Sequence, residues 1–303
     1  MTARWGALDA ARGLAVLAMV VFHLIWDLGH FGYIERTIPW SAPVKAFGHS
    51  IAFAFLFIAG ASLVLAHRNG ICWDAFWRRF AVVAGAAALV SVGTYVVFPS
   101  AFVFFGILHC IAAASLLSLP FLLLPWSAAL AAGAAFFAAP YIVASSAFNS
   151  HWLQWLGLGT VEPLTQDWRP LFPWAGAMLL GVAAARAFVP LLTFKVQPVA
   201  RGRKSALPFL GRHSLLIYLL HQPLLFGLFT ALLIVAPPAE DTRDFIAACE
   251  RSCVDEGSTQ AYCHSFCVCT AKEAISGKAL DGARDDAERG RRLQEMARRC
   301  MAR

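Results

Sequence analysis

Long apolar stretches constrain the fold of this chain more than any other feature of its sequence. A membrane-spanning helix needs about 20 mostly apolar residues, and seven stretches are long enough. They cover residues 7–28, 46–66, 78–98, 101–119, 127–146, 171–190 and 209–236. The sequence therefore predicts an all-α, polytopic membrane helix bundle with about seven transmembrane helices.

The distribution of charge divides the chain into two parts. Charged residues make up 14% of the 303 residues, whereas a soluble domain usually carries about 25%. Six of the eighteen acidic residues precede residue 237 and the other twelve follow it. We therefore expect a transmembrane domain over 1–236, in contact with membrane lipid, and a small cysteine-rich helical tail outside the membrane over 237–303.

Lysine and arginine in the short loops predict the orientation. With the N-terminus inside, eleven of them lie in the cytoplasmic loops and three in the opposite loops, which is the expected positive-inside bias. Seven spans would then place the tail outside, in the periplasm of a bacterium with the bundle in its inner membrane. The net charge of +7 follows from this topology, so we expect no nucleic-acid partner.

The cysteines of the tail support an oxidising location. Six of the eight cysteines lie after residue 237, and exported cysteines commonly form disulfides. Each pair in the Cys-x3-Cys motifs lies one helical turn apart, so two short helices could be joined by Cys249–Cys267 and Cys253–Cys263. Cys269 and Cys300 would form a possible third pair, with an amphipathic helix at about 283–300. The alternative is a four-thiolate zinc site, but disulfides are favoured and no metal is predicted.

Three titratable residues lie on one face where the first span ends. His23, Asp27 and His30 are spaced by four and three residues, which places them together on a helix. A carboxylate beside an imidazole favours its charged form and can hold a general base, so Asp27 is expected to orient His23. The alternative is a hydrated interfacial cluster among the neighbouring aromatic residues.

Other ionisable groups within the apolar part are also candidates, because such groups are costly at membrane depth. His109 lies in the middle of a predicted span and His221 lies within the last one. Either could instead be a neutral histidine bonded within the fold. Arg12, Arg78 and Arg79 lie near the predicted cytoplasmic side, where arginine could bind the phosphates of a donor or simply anchor the helices. The tryptophan-rich loop 147–170 is predicted to be interfacial, with a sugar-binding platform as the alternative.

Several of these segments together resemble a known family. The segments are LDAARGLAVLAMVVFH, FAFLFIAGASLVLA, FWRRF, FFGILH, PLFPWAGAMLLG and FLGRHSLLIYLLHQPLL. In order and spacing they resemble bacterial membrane proteins grouped with the catalytic domain of heparan-alpha-glucosaminide N-acetyltransferase. A more distant similarity connects them with membrane acyltransferases that O-acetylate bacterial surface glycans.

The resemblance implies a transmembrane acyltransferase. Acetyl-CoA, or another acyl-CoA, would be the cytoplasmic donor, and a glycan, amino sugar or lipid headgroup across the membrane would be the acceptor. His23 matches the histidine that ends the first helix of the glycan acetylators, whereas His30 is nearer to the essential histidine of the heparan enzyme. Arg78 and Arg79 match a basic pair that handles the donor. The predicted number of spans is smaller than in the larger relatives. Either a spanning segment is missing or two copies of the chain form a homodimer.

Two other classes of function remain open. In a proton-coupled transporter, His23, Asp27, His109 and His221 would form a relay. In a membrane scaffold, the bundle would serve mainly to present the cysteine-rich tail.

Overall fold

The computed structural model describes residues 6–192, 206–236, 238, 242–276 and 286–301, and its regular elements there are all helical. The predicted all-α class is confirmed. The α-helices are α1 (Gly6–His30), α2 (Ala42–Ala66), α3 (Trp73–Val97), α4 (Ile107–Leu117), α5 (Trp126–Val143), α6 (Leu171–Leu192), α7 (Ala206–Arg212), α8 (Ser214–Val235), α9 (Arg243–Asp255), α10 (Gln260–Ser276) and α11 (Asp286–Met301). Short 3-10 helices lie between some of them.

Six of these helices are long and apolar enough to cross a membrane: α1, α2, α3, α5, α6 and α8. The predicted span at 101–119 differs, because its helix α4 has 11 residues and is only about 16 Å long. The hydrocarbon core is about 30 Å thick. The expected seven full-length spans are therefore six among the described residues, together with one short apolar helix.

The chain before α4 nevertheless runs back along α3. Val103 donates its N–H to Thr94 Oγ1 (2.9 Å) and accepts from Ser91 Oγ (2.6 Å). Further along, α4 meets the first half of α3 in a cleft that Phe76 and Ala112 both line. A non-helical segment and a half-length helix thus replace a complete helix, an arrangement that is found in membranes where protein surrounds the non-helical backbone.

A second non-helical segment, just before α6, is hydrogen-bonded to the first one. The N–H of Gln166 donates to Ala101 O (2.9 Å) and that of Arg169 to Phe105 O (3.2 Å), while Thr165 Oγ1 donates to Phe102 O (2.7 Å). These bonds satisfy backbone groups that no helix satisfies. The loop predicted to be interfacial therefore ends in a segment bonded to the bundle.

Glycine allows the central helices to approach closely. A Cβ added to Gly60 of α2 would lie 2.1 Å from Met178 O of α6, and one added to Gly181 of α6 would lie 2.0 Å from Phe57 O of α2. Small residues at helix crossings are the usual means of packing helices in membranes. Around this crossing, Leu56 and Val182 are fully buried. The helices α2, α4, α5 and α6 share this core.

The described chain divides into two compact units. The first comprises 1–27 and 37–229, and the second comprises 28–36 and 230–303. In the second unit, Tyr33 Oη donates to Ala236 O (2.8 Å), so the turn after α1 is tied to the chain that leaves α8.

Three disulfides hold the helices of the second unit. They join Cys249 to Cys267, Cys253 to Cys263 and Cys269 to Cys300, with Cα–Cα distances of 5.8, 5.7 and 5.9 Å. The first two link α9 to α10 and the third links α10 to α11. The two pairings predicted from the cysteine spacing are found, the possible third pair is formed as well, and the tail's six cysteines are bonded to one another. The predicted helix at 283–300 corresponds to α11.

Candidate functional site

Two histidines from different helices meet inside the first unit. The rings of His23, on α1, and His221, on α8, have centroids 4.6 Å apart in an edge-to-face arrangement. His23 Nδ1 lies 3.0 Å from Met19 O and His221 Nδ1 lies 2.7 Å from Tyr218 O. In the neutral tautomer that these carbonyls select, each Nδ1 donates its proton and each Nε2 keeps a lone pair. Both rings can therefore accept a proton at Nε2.

Asp27 is fully buried one turn beyond His23. Its Oδ1 accepts a hydrogen bond from Gln222 Nε2 of α8 (2.8 Å), and its Oδ2 has no hydrogen-bond partner among the described residues. Asp27 is predicted to orient His23, but no hydrogen bond joins these two side chains. The physical reason is that the Met19 carbonyl, one turn earlier on the same helix, already holds His23 Nδ1, while the carboxyl group of Asp27 meets α8.

His30 is the last residue of α1 and belongs to the second unit. Its ring packs edge-on against Phe31 with centroids 5.1 Å apart, and its side chain is exposed. The three residues that the helical spacing grouped together thus have different surroundings. His23 and Asp27 belong to the first unit, whereas His30 belongs to the second.

His109 forms hydrogen bonds within the fold through both ring nitrogens. Its Nδ1 accepts from the Gly106 N–H (3.2 Å), and its Nε2 lies 3.2 Å from Ser91 Oγ. Since the Ser91 hydroxyl donates to Val103 O, the consistent assignment has His109 Nε2–H donating to Ser91. A neutral His109 therefore joins α4 to α3 and to the non-helical segment before α4. Neither of its ring nitrogens is left for a ligand.

Two charged residues that the sequence did not single out lie near this site. Asp167 Oδ2 accepts from the N–H of Ile107, the first residue of α4 (2.9 Å), so it caps a helix N-terminus. Arg169 lies 3.8 Å from Asp167 Oδ1 and 5.2 Å above the ring of Trp174. Both are within electrostatic range of His23. Only their position before an apolar helix distinguishes them in the sequence, which is too weak a signal to select them.

Near the other end of α1, Arg12 lies in a network of polar side chains. Its Nη1 donates to Asp9 Oδ1 (2.9 Å) and its Nη2 donates to Ser62 Oγ of α2. Arg212 of α7 lies 3.5 Å from the other oxygen of Asp9. Arg12 thus neutralises a buried carboxylate, and its guanidinium is largely occupied within the fold.

The two candidate arginines of α3 have different environments. Arg79 lines a cleft of about 40 Å³ between the end of α2, the start of α3 and the end of α4, together with His67 and Ser115. Arg78 lies outside that lining, although both arginines are exposed residues. Arg12 is within electrostatic range of Arg79. We call the cleft that Arg79, His67 and Ser115 line the α2–α3 cleft.

His67 gives the α2–α3 cleft a neutral polar group. Its Nδ1 accepts a hydrogen bond from the Cys72 N–H (3.1 Å), which requires that nitrogen to be unprotonated. Burial, and secondarily the charge of Arg79, hold the pKa of His67 below its usual value. The cleft therefore carries the charge of Arg79 beside a histidine that stays neutral.

The fold and the site define a multi-pass membrane protein in which a half-buried imidazole, His23, meets a buried one, His221. In the described part of the chain, no group of three or more His, Cys, Asp or Glu side chains could hold a metal ion. The family model for the catalytic domain of heparan-alpha-glucosaminide N-acetyltransferase matches residues 4–223. The chain belongs to this family of membrane N-acetyltransferases. No curated protein and no solved structure matches it.

Proposed function

We propose that this protein is an integral-membrane acyltransferase that moves an acyl group, normally acetyl, from acyl-CoA to an acceptor across the membrane. The observation that carries this proposal is the His23–His221 pair, because both rings present a basic Nε2 inside the membrane domain. Membership of an N-acetyltransferase family supports the reaction class.

In this proposal His23 is the general base. Its Nε2 takes a proton from the hydroxyl or amino group of the acceptor as that group attacks the acyl carbonyl, and the CoA thiolate leaves. Two charged groups lie within electrostatic range of the imidazolium that forms. The negative charge of Asp167 would stabilise it, and the positive charge of Arg169 would oppose it. The related alternative is that His23 first accepts the acyl group itself. His30 is the second candidate for the base, on the strength of the family resemblance.

The donor would enter from the other end of α1. Arg79 is the arginine that lines the α2–α3 cleft, and Arg12, which is paired with Asp9, is within electrostatic range of it. Eleven residues separate Arg12 from His23, which corresponds to about 16 Å along the helix. An extended acyl-pantetheine arm could cover that separation. Since the cleft is small, we propose that it binds a phosphate group rather than the whole nucleotide.

The acceptor would approach from the side opposite the donor. In the proposed orientation the N-terminus and the α2–α3 cleft are cytoplasmic, the bundle lies in a bacterial inner membrane, and the tail is periplasmic. A glycan, an amino sugar or a lipid headgroup would be the acceptor. Arg169 over Trp174 offers a charged and an aromatic surface of the kind that binds sugars.

Donor binding tests the proposal directly, and α3 supplies its own control. Purified protein should bind radiolabelled acetyl-CoA, and Arg79→Ala should weaken binding by about tenfold or more, as expected for loss of a charge-assisted bond. Arg78→Ala removes the same charge from the neighbouring position outside the cleft lining and should weaken acetyl-CoA binding less. Equal effects of the two substitutions would contradict the role of the cleft, and absence of binding to the unmodified protein would contradict the donor.

A proton-coupled transporter is the second candidate, because buried ionisable groups on α1 and α8 are typical of proton pathways. Asp27 and His221 are both buried with an unbonded polar atom. Reconstituted in liposomes under a pH gradient, a transporter should move protons or charge in the absence of any acyl donor. An acyltransferase should not.

A further inference from the structure

Buried polar atoms without partners are concentrated where α1 meets α8. Among the described residues, Asp27 Oδ2, Gln222 Oε1 and His221 Nε2 are all buried and have no hydrogen-bond partner. Native proteins rarely leave such atoms unsatisfied, so each of them needs an explanation. Two of the three belong to side chains that are already bonded to each other through Gln222 Nε2 and Asp27 Oδ1.

The surroundings of Asp27 are unsuited to a negative charge. Its exposed fraction is 0%, and the side chain bonded to it, Gln222, is neutral. Within the first unit, α1 carries His23 one turn before Asp27 and α8 carries His221 next to Gln222, and both histidines give their Nδ1 protons to backbone carbonyls of their own helices. An isolated ionised carboxylate in such a site would be strongly unfavourable.

We propose that Asp27 is protonated in the folded protein and forms a two-bond carboxylic acid–amide pair with Gln222. In one bond, Gln222 Nε2–H donates to Asp27 Oδ1, as the 2.8 Å distance indicates. In the other, the proton on Asp27 Oδ2 donates to Gln222 Oε1. A protonated carboxyl group has one donor and retains acceptor capacity, so one proton satisfies two of the three orphan atoms.

The pair makes Asp27 a positioning residue. Gln222 follows His221 directly on α8, and Asp27 follows His23 by one turn on α1. A bond between Asp27 and Gln222 therefore fixes the register in which the two imidazoles meet at 4.6 Å. Because the pair is neutral, it adds no charge beside the bases. This inference concerns a protonation state and does not rest on the proposed acyl transfer.

Infrared spectroscopy of the intact protein tests the protonation state. Full-length protein labelled with ¹³C at the aspartate side-chain carboxyl should show the carbonyl band of a protonated acid at neutral pH. The band should shift with the label and disappear in Asp27→Asn. A wild-type spectrum that contains only ionised carboxylate bands for aspartate would overturn the proposal.

Thermal unfolding in detergent provides a second test by conservative rescue. In Asp27→Asn, the new Nδ2–H can donate to Gln222 Oε1, so the midpoint should stay close to that of wild type. Asp27→Ala leaves both polar atoms of the Gln222 side chain without a hydrogen-bond partner and should clearly lower the unfolding midpoint. A midpoint for Asp27→Asn as low as that of Asp27→Ala would contradict a neutral pair.

The double variant Asp27→Leu with Gln222→Leu controls for loss of packing. Removing both partners together leaves no orphan group, so this variant should unfold at a higher temperature than Gln222→Leu alone, which strands the buried carboxyl group. A double variant less stable than the single one would count against the pair. Since none of these measurements uses acyl-CoA, they can succeed or fail separately from the proposed acyltransferase activity.

Discussion

At the scale of single residues, the hydrogen bonds of the ring nitrogens distinguish the histidines of the membrane domain. His109 uses both nitrogens to connect α4 with α3. His23 and His221 each use Nδ1 on a carbonyl of their own helix, which leaves Nε2 basic. Sequence position alone shows that all three lie in apolar segments. It does not show which of them has a nitrogen available.

Replacing His23 should therefore have a larger effect on acyl transfer than replacing His30. Loss of a general base typically lowers the rate by a factor of about 10² to 10⁴. The rate of acyl transfer by His23→Ala should therefore decrease by that factor in a single-turnover assay with acetyl-CoA. His30 lies at the exposed end of α1, so the rate of His30→Ala should decrease less. The reverse order would transfer the role of the base to His30.

His67 should make stability depend on pH in the mildly acidic range. Its pKa in the folded protein lies below the usual value because of burial and then Arg79, so the unfolded chain binds the proton more readily. Stability is therefore complete above about pH 6.5 and decreases as pH falls below that value. Thermal midpoints of wild type and His67→Gln between pH 7 and 5 test this.

The acid-induced decrease should be smaller in His67→Gln, because glutamine does not titrate and its Oε1 can still accept from the Cys72 N–H. Curves that fall in parallel for the two proteins would exclude His67 as the cause of the decrease.

At the scale of secondary-structure elements, hydropathy located the apolar segments but not their conformation. The segment 101–119 is mostly apolar, and yet its first part is not helical, because its backbone bonds to Thr94, Ser91 and the segment before α6. A hydropathy window counts apolar side chains and is insensitive to where backbone groups find partners. For the same reason the sequence did not indicate that Asp167 would cap α4.

The α2–α6 crossing should depend on its glycines. In Gly60→Ala the new Cβ would meet Met178 O at 2.1 Å, and overpacking of this kind typically costs about 1–3 kcal/mol. The control is Gly93→Ala on α3, where nothing lies within 4 Å. That substitution should be neutral, or should stabilise by about 0.5–1 kcal/mol because alanine favours a helix.

Thermal unfolding of the two variants in the same detergent measures the difference. A Gly60→Ala protein as stable as Gly93→Ala would show that α2 and α6 can separate without cost at this crossing.

At the scale of the whole molecule, the cysteines divide into two classes that can report on orientation. The six cysteines of the tail are bonded in three pairs, Cys110 is buried, and Cys72 is exposed and free in the loop between α2 and α3. A thiol reagent that cannot cross membranes should therefore react at Cys72 whenever it reaches that side.

If the α2–α3 loop is cytoplasmic, a membrane-impermeant maleimide should label the protein in inside-out vesicles and leave it unlabelled in intact cells with a permeabilised outer membrane. Cys72→Ser should abolish the labelling, which identifies the reactive site. Labelling in intact cells but not in inside-out vesicles would reverse the proposed orientation.

The sequence by itself determined the properties that follow from local composition and spacing. Apolar length predicted the helical membrane class, and cysteine spacing predicted two of the three disulfide pairs, since one-turn spacing on two short helices leaves few compatible pairings. Tertiary structure decided what depends on partners distant in the chain. Asp27 bonds to Gln222, 195 residues away, and His23 meets His221 rather than Asp27. Those contacts form because α1 and α8 pack together, and spacing within a single helix carries no information about a neighbouring helix.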